Sequence, residues 1–298
     1  MRVFYFNITY RCNSNCMFCA ADHPILNEQS EMPLEEFAKI LEDNHVGSGD
    51  RVIVNGGEPT IHRSFWEILD TIDQCGAKID LFTNGQALAD EQFAKRLTSY
   101  RDIYIRIPLF GSTAAAHDYL TGCPGGFNRV TKGLDHIYRY QGKGSQLEIK
   151  LLMSKVSVAE NEKIYDLVKT RWPGAHIILS LNPLLISKCV IENKDLFIEE
   201  YPVILAQSEP LIRRIYADGR ELSMSLIPFC AFPNDDLLSL CHGNTILEHS
   251  YYADPNNSKI IDEFAGREQC KLCKYAKKCN GYPDSYVRYF GNRVMVSR

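Results

Sequence analysis

Cys12, Cys16 and Cys19 stand in the spacing C-x3-C-x2-C on a short polar stretch. Five more cysteines lie toward the C-terminus. Cys270, Cys273 and Cys279 form a C-x2-C-x5-C run, and Cys230 and Cys241 precede it. Thiolates grouped this closely bind iron–sulfur clusters or zinc. A [4Fe–4S] cluster normally takes four cysteines. The first group offers three with no fourth nearby, so one iron would stay open to an outside ligand. Zinc bound by the three cysteines and His23 is the competing reading. Cys75, Cys123 and Cys189 are scattered and read as buried fillers or chance surface thiols. Eleven cysteines in 298 residues is high for a cytosolic chain, where disulfides are not expected.

The elements that must position these thiols follow from the apolar pattern. Strands are expected over 3–9, 51–55, 78–83, 102–109, 147–153 and 176–181. Helices are expected over 34–45, 64–75, 90–100, 127–140 and 158–172. A longer helical stretch over 194–216 carries Pro202 and Pro210 as possible breaks. Six strand-then-helix units in succession predict an α/β fold with a parallel sheet and helices outside. Right-handed crossovers would curl that sheet toward a barrel, and six units fall short of eight. The expectation is a partial (β/α)6 barrel over 1–217. Residues 218–298 are short, irregular and cysteine-rich, and read as a small appended unit.

Cys12, Cys16 and Cys19, following the first strand with aromatic Phe18 just before the third cysteine, resemble the signature of the radical S-adenosylmethionine (SAM) enzymes. The resemblance implies that SAM chelates the open iron and is cleaved reductively to methionine and a 5′-deoxyadenosyl radical. That radical then takes a hydrogen atom from substrate. Gly56-Gly57-Glu58-Pro59, after the second strand, resembles the family's GGEP motif. It implies glycines that let the backbone approach the SAM amino group, with Glu58 adding negative charge near that ammonium. Thr83-Asn84-Gly85 after the third strand is similar to another family segment. Asn84 would either reach SAM or hold a left-handed turn. Family members build a partial barrel of this type, and all these residues fall at the C-terminal ends of strands, where such barrels bind ligands.

Two segments depart from the family. Arg106-Ile-Pro108-Leu-Phe110-Gly111, then His117-Asp118 and Thr121, resembles a stretch of peptide-modifying members. Pro108 stands where those carry serine, and Thr121 where they carry arginine. Arg106, Lys150 and Arg129 are the basic residues available to meet the SAM carboxylate instead. Asp118 reads as a helix cap and His117 as a packed ring. Glu148 and Lys150, two apart on one strand face, are either substrate contacts or part of a structural ion pair. The C-terminal spacing resembles the twitch and SPASM extensions, which hold auxiliary [4Fe–4S] clusters. Five cysteines suffice for one cluster, expected at Cys241, Cys270, Cys273 and Cys279 with Cys230 in reserve. A four-cysteine zinc knuckle is the alternative. His242 and His249 read as loop residues.

With 33 Lys+Arg against 37 Asp+Glu, the net charge is −4. That argues against a general nucleic-acid or membrane-surface binder, since those need a dense basic face. The N-terminus turns polar too early for a secretory signal, so a cytoplasmic protein is expected. The resemblance implies an electron donor such as flavodoxin or ferredoxin. It also implies a substrate that is a peptide, as in cross-linking or epimerising maturases, or a small molecule, as in the dehydrogenases. The first strand begins at residue 3, so leader-peptide recognition would come from elsewhere. A passive electron carrier would need closed clusters, and a zinc-stabilised module would leave residues 56–59 and the barrel unexplained.

Overall fold

The computed structural model describes residues 1–20, 31–142, 144–173, 177–183, 185–224, 227–240, 251–253, 255, 264–265, 268–276, 279 and 281–291. The six expected strands are present: β1 (Val3–Thr9), β2 (Arg51–Gly56), β3 (Lys78–Phe82), β4 (Ile103–Pro108), β5 (Ser145–Met153) and β6 (Ile177–Pro183). Two short strands beyond residue 217 extend the sheet. β7 (Leu222–Met224) pairs with β6, and β8 (Tyr251–Ala253) pairs with β1. The order is β7-β6-β5-β4-β3-β2-β1-β8, and every pairing is parallel. The sheet therefore runs past the boundary expected at 217. Three-residue strands carry too little periodicity to announce themselves. A two-stranded antiparallel pair, β9 (Phe264–Ala265) and β10 (Tyr282–Pro283), lies outside it.

Helices α1 (Leu34–Asp43), α2 (Phe65–Cys75), α3 (Glu91–Thr98), α4 (Ala114–Thr121), α5 (Gly126–Tyr140) and α6 (Val158–Arg171) alternate with the strands. Alternation along each strand divides its side chains between two environments. On β4, Ile103, Ile105 and Ile107 are buried against the helical layer. Tyr104, Arg106 and Pro108 face the other way, into the barrel lumen. On β5 the same rule buries Leu147, Ile149 and Leu151 and turns Glu148, Lys150 and Leu152 inward. The apolar core thus lies outside the sheet, and the lumen is polar.

Local chemistry modifies some expected ends. A short helix, Lys188–Glu192, precedes the stretch expected over 194–216, which is itself two more, Lys194–Phe197 and Tyr201–Ala217. Pro202 lies in the first turn of the third, where its missing N–H costs nothing, while Pro210 is carried inside it. Ser64 precedes α2 without capping it through its side chain. Asp118 does cap. Its carboxylate accepts from the Gly125 N–H at 2.6 Å and the Phe127 N–H at 2.7 Å, pinning α5 to α4. Asp118→Ala is expected to cost about 1–2 kcal/mol, read from the urea midpoint. His117 is buried beside Phe110 and Phe127, and burial pushes its pKa down to about 4. Among the described residues no helix is long and apolar enough to cross a membrane.

Candidate functional site

The loop carrying Cys12, Cys16 and Cys19 leaves the end of β1 and is held by neighbours on several sides. The Asn15 and Met17 N–H groups donate to the Thr121 and Leu120 carbonyls of α4 at 2.9 and 3.0 Å. The Cys19 N–H closes a turn on the Cys16 carbonyl. Asn84 Nδ2 reaches Asn13 Oδ1 at 2.6 Å, and Gln86 Nε2 reaches Ser14 Oγ at 2.8 Å. Asn193 Nδ2 donates to the Met17 carbonyl at 3.2 Å. Phe18 is buried in a small apolar cluster, edge-on to Phe110 at 4.6 Å and to Phe197 at 5.5 Å. The three cysteines themselves stay partly exposed. The loop is held through its backbone and through Phe18, so its three thiols are placed by groups other than their own sulfurs.

The thiols lie close enough to affect one another. Burial raises the Cys12 pKa to about 11, with the Cys19 charge adding and the Ser14 N–H, 3.4 Å from Sγ, opposing. Burial likewise raises Cys16, reinforced by Cys19 and Cys12. Thiols with raised pKa values need a cation to ionise, and a metal cluster supplies it. Among the described residues no three Cys, His, Asp or Glu side chains converge where one metal ion would sit. Three cysteines on one short loop are a donor set whose chemistry fits a [4Fe–4S] cluster. His23, the alternative zinc ligand, lies outside the described residues.

The Gly56-Gly57-Glu58-Pro59 segment locks to this loop. The Gly57 N–H donates to the Thr9 carbonyl at 2.7 Å, and the Glu58 N–H to the Arg11 carbonyl at 2.8 Å. A Cβ on Gly56 would meet the Thr9 oxygen at 2.2 Å, and one on Gly57 the Arg11 oxygen at 2.3 Å. The glycines let the two backbones touch. Glu58 is fully buried. Its Oε1 accepts from Thr60 N–H, Thr60 Oγ1 and Thr83 Oγ1, and its Oε2 from the Asn84 N–H at 2.6 Å. Burial raises its pKa, and those donors oppose the rise. Glu58 thus ties the loop after β2 to the loop after β3 and offers no oxygen to the surface. Pro59 opens a short 3-10 turn and is buried. Gly85, not Asn84, takes the left-handed conformation, at φ 79°. Asn84 Oδ1 instead accepts from the Gln86 N–H.

Below these loops the lumen holds a charged network that sequence spacing did not disclose. Arg106 Nε and Nη2 donate to the two oxygens of buried Asp80 at 2.7 and 2.9 Å, and Nη1 to Glu148 Oε2 at 2.9 Å. Tyr104 O–H also donates to Glu148 Oε2. Arg51 lies 3.4 Å from Asp80. Burial works against the Arg106 charge, but Asp80 and then Glu148 hold its pKa above the ordinary value. Arg129 is engaged elsewhere, with Gln86 Oε1 at 2.9 Å and Cys123 Sγ at 3.2 Å.

At the C-terminal end, Cys230, Cys270, Cys273 and Cys279 are all partly exposed, and Cys241 lies outside the described residues. Burial raises the Cys230 pKa, and nearby Cys279 and Cys270 add to the rise. The Phe229 and Gly281 N–H groups each donate to Cys279 Sγ at 3.4 Å, and the Tyr275 N–H to Cys273 Sγ at 3.4 Å. Backbone donors on sulfur favour the thiolate form that a cluster needs. The reserve ligand of the sequence reading is the described cysteine that stands beside the C-x2-C-x5-C group.

The chain is 26% identical over 167 residues to the Fe-coproporphyrin III synthase of Methanosarcina barkeri, covering 56% of this chain and 41% of that one. It is 25% identical over 176 residues to the mycofactocin maturase MftC of Mycobacterium tuberculosis, covering 59% and 44%. The chain spans about half the length of the curated relatives it matches. Among solved structures, native anSMEcpe with bound AdoMet and Cp18Cys peptide superposes with a TM-score of 0.63 at 14% identity, covering 96% of this chain and 90% of that one. The sequence pattern of the Radical SAM superfamily matches residues 6–168, a span that opens in β1, takes in the three-cysteine loop and both loops braced against it, and closes in α6. More than half of the chain carries that pattern, and the protein belongs to the radical SAM superfamily of enzymes.

Proposed function

We propose that Cys12, Cys16 and Cys19 hold a [4Fe–4S] cluster whose fourth iron binds SAM, and that the enzyme modifies a peptide. The observation that carries this is the loop itself: three thiols, partly exposed, on a backbone anchored to α4 and to the loop after β3. When bound, the cluster supplies one electron that splits SAM into methionine and a 5′-deoxyadenosyl radical. The chain's contribution is position and exclusion of water. Phe18, Gly56, Gly57, Glu58, Pro59 and Asn84 act as the frame that fixes the loop. Phe18 fills the apolar cluster behind it, and Glu58 and Asn84 join the neighbouring strand ends to it.

A peptide substrate is supported by the maturase MftC among the relatives and by the peptide in the superposed structure. A small-molecule substrate is the second reading, favoured by the likeness to Fe-coproporphyrin III synthase. An auxiliary [4Fe–4S] cluster on Cys270, Cys273 and Cys279, completed by Cys230 or Cys241, would take up the second electron of an oxidation. Its support is the set of N–H donors on Cys273 and Cys279 and the nearness of Cys230. Flavodoxin or ferredoxin would deliver the first electron.

The test is anaerobic reconstitution with iron and sulfide, reduction, and chromatography of the SAM products. The expected result is a brown protein that releases 5′-deoxyadenosine and methionine in equal amounts. A colourless protein that binds zinc and leaves SAM intact would sink the proposal.

A further inference from the structure

Charge in the lumen does not balance. Its described cations are Arg51, Arg106 and Lys150, and its described anions are Asp80 and Glu148. The two arginines and two carboxylates satisfy one another. Lys150 stands outside that exchange. It follows Glu148 by two residues on the inward face of β5, in register with Pro108, the last residue of β4. That puts it at the end of the lumen where the cysteine loop and its braces meet. Its Nζ lies 4.7 Å from the Phe82 ring, and among the described residues no carboxylate or hydrogen-bond acceptor reaches it. Glu148 Oε1 is buried without a partner, yet the neighbouring ammonium does not turn to it. Burial pulls the Lys150 pKa down, and Glu148 opposes.

An ammonium enclosed by protein without a counter-ion gives up much of its hydration, and a ring face returns only part of it. Lys150 nonetheless keeps partial contact with solvent, so an anion can reach it. The other two basic residues considered for this duty, Arg106 and Arg129, are already committed.

We propose that Lys150 is the carboxylate anchor of this barrel, pairing with a carboxylate that enters the lumen from the strand ends and belongs to SAM or to the substrate. The proposal rests on the radical SAM reading of the lumen mouth.

The test is calorimetric titration of anaerobically reconstituted protein, unaltered or carrying Lys150→Met or Lys150→Arg. The ligands are SAM, decarboxylated SAM and, at saturating SAM, N-acetylglutamate. If the carboxylate is SAM's, the unaltered protein prefers SAM over its decarboxylated form by about tenfold or more. Lys150→Met then binds both alike, and Lys150→Arg recovers most of the preference. If the carboxylate is the substrate's, all three proteins bind SAM equally, and N-acetylglutamate binds the unaltered and Arg proteins but not the Met protein. Equal SAM affinity in all three with no loss of N-acetylglutamate binding in the Met protein overturns the proposal. Iron content and thermal midpoint, measured on each variant, separate a lost contact from a lost fold. Failure of the unaltered protein to bind SAM would undo the reading of the cysteine loop, and the Lys150 proposal with it.

Discussion

Protein in which Cys12, Cys16 and Cys19 are all changed to Ala is expected to release no 5′-deoxyadenosine above background and to bind about four fewer irons per chain. The loop itself should survive the change. Its anchors are the Asn15 and Met17 N–H groups, the Asn13 and Ser14 side chains and the ring of Phe18, none of which is altered. The thermal midpoint of the metal-free protein should therefore move little while all SAM chemistry disappears. Iron analysis of the same triple variant also reads the second site. About four irons remaining would mean that the C-terminal cysteines hold a cluster of their own. That result favours oxidation or cross-linking, in which a second electron must leave the substrate. Iron near zero would leave a single-cluster enzyme suited to a redox-neutral rearrangement or epimerisation.

Asp80→Ala is expected to be the most destabilising single change in the lumen, at about 3–5 kcal/mol. Asp80 is fully buried and accepts two bonds from Arg106 while facing Arg51. Its removal leaves two arginines and Lys150 against Glu148 alone. Native domains hold only about 5–15 kcal/mol in total, so the loss should show as a large drop in the urea midpoint with little change in slope. A drop worth less than about 1 kcal/mol would mean that water enters the lumen and solvates the arginines, contrary to the network described.

Much of this architecture is legible in the sequence because its signals are local. Branched apolar runs ending in glycine or asparagine mark β2 and β3, and the isoleucines of β4 mark the face that meets the helices. The three-cysteine loop and residues 56–59 are equally plain, since both motifs are contiguous. What escapes is non-local. β7 and β8 are three residues each and exist only through pairing with distant strands. Glu58 belongs to a recognisable motif, but its burial depends on Thr83 and Asn84, which lie on another strand end. The exchange among Asp80, Arg106 and Glu148 joins three strands, and no spacing within one segment encodes it. Lys150 could be named from the sequence as one of three basic residues. Only the partners of the other two leave it without an anion.

The position of β1 has a consequence for synthesis. Its Phe4 and Tyr5 pair on one side with Val52 and Ile53 and on the other with Tyr251 and Tyr252. Tyr5 stacks on Tyr252 at 5.5 Å, and Asn7 Nδ2 donates to the Tyr252 hydroxyl at 2.8 Å. The ribosome adds about 5–20 residues per second, so one flank of the first strand waits tens of seconds for its neighbour to emerge. Throughout that interval the strand presents unpaired backbone groups to other chains, with the thiols of the adjoining loop beside it. The nascent protein thus exposes one edge of β1 beside the cysteine loop until Tyr251–Ala253 emerges, and reducing conditions during synthesis would protect those thiols.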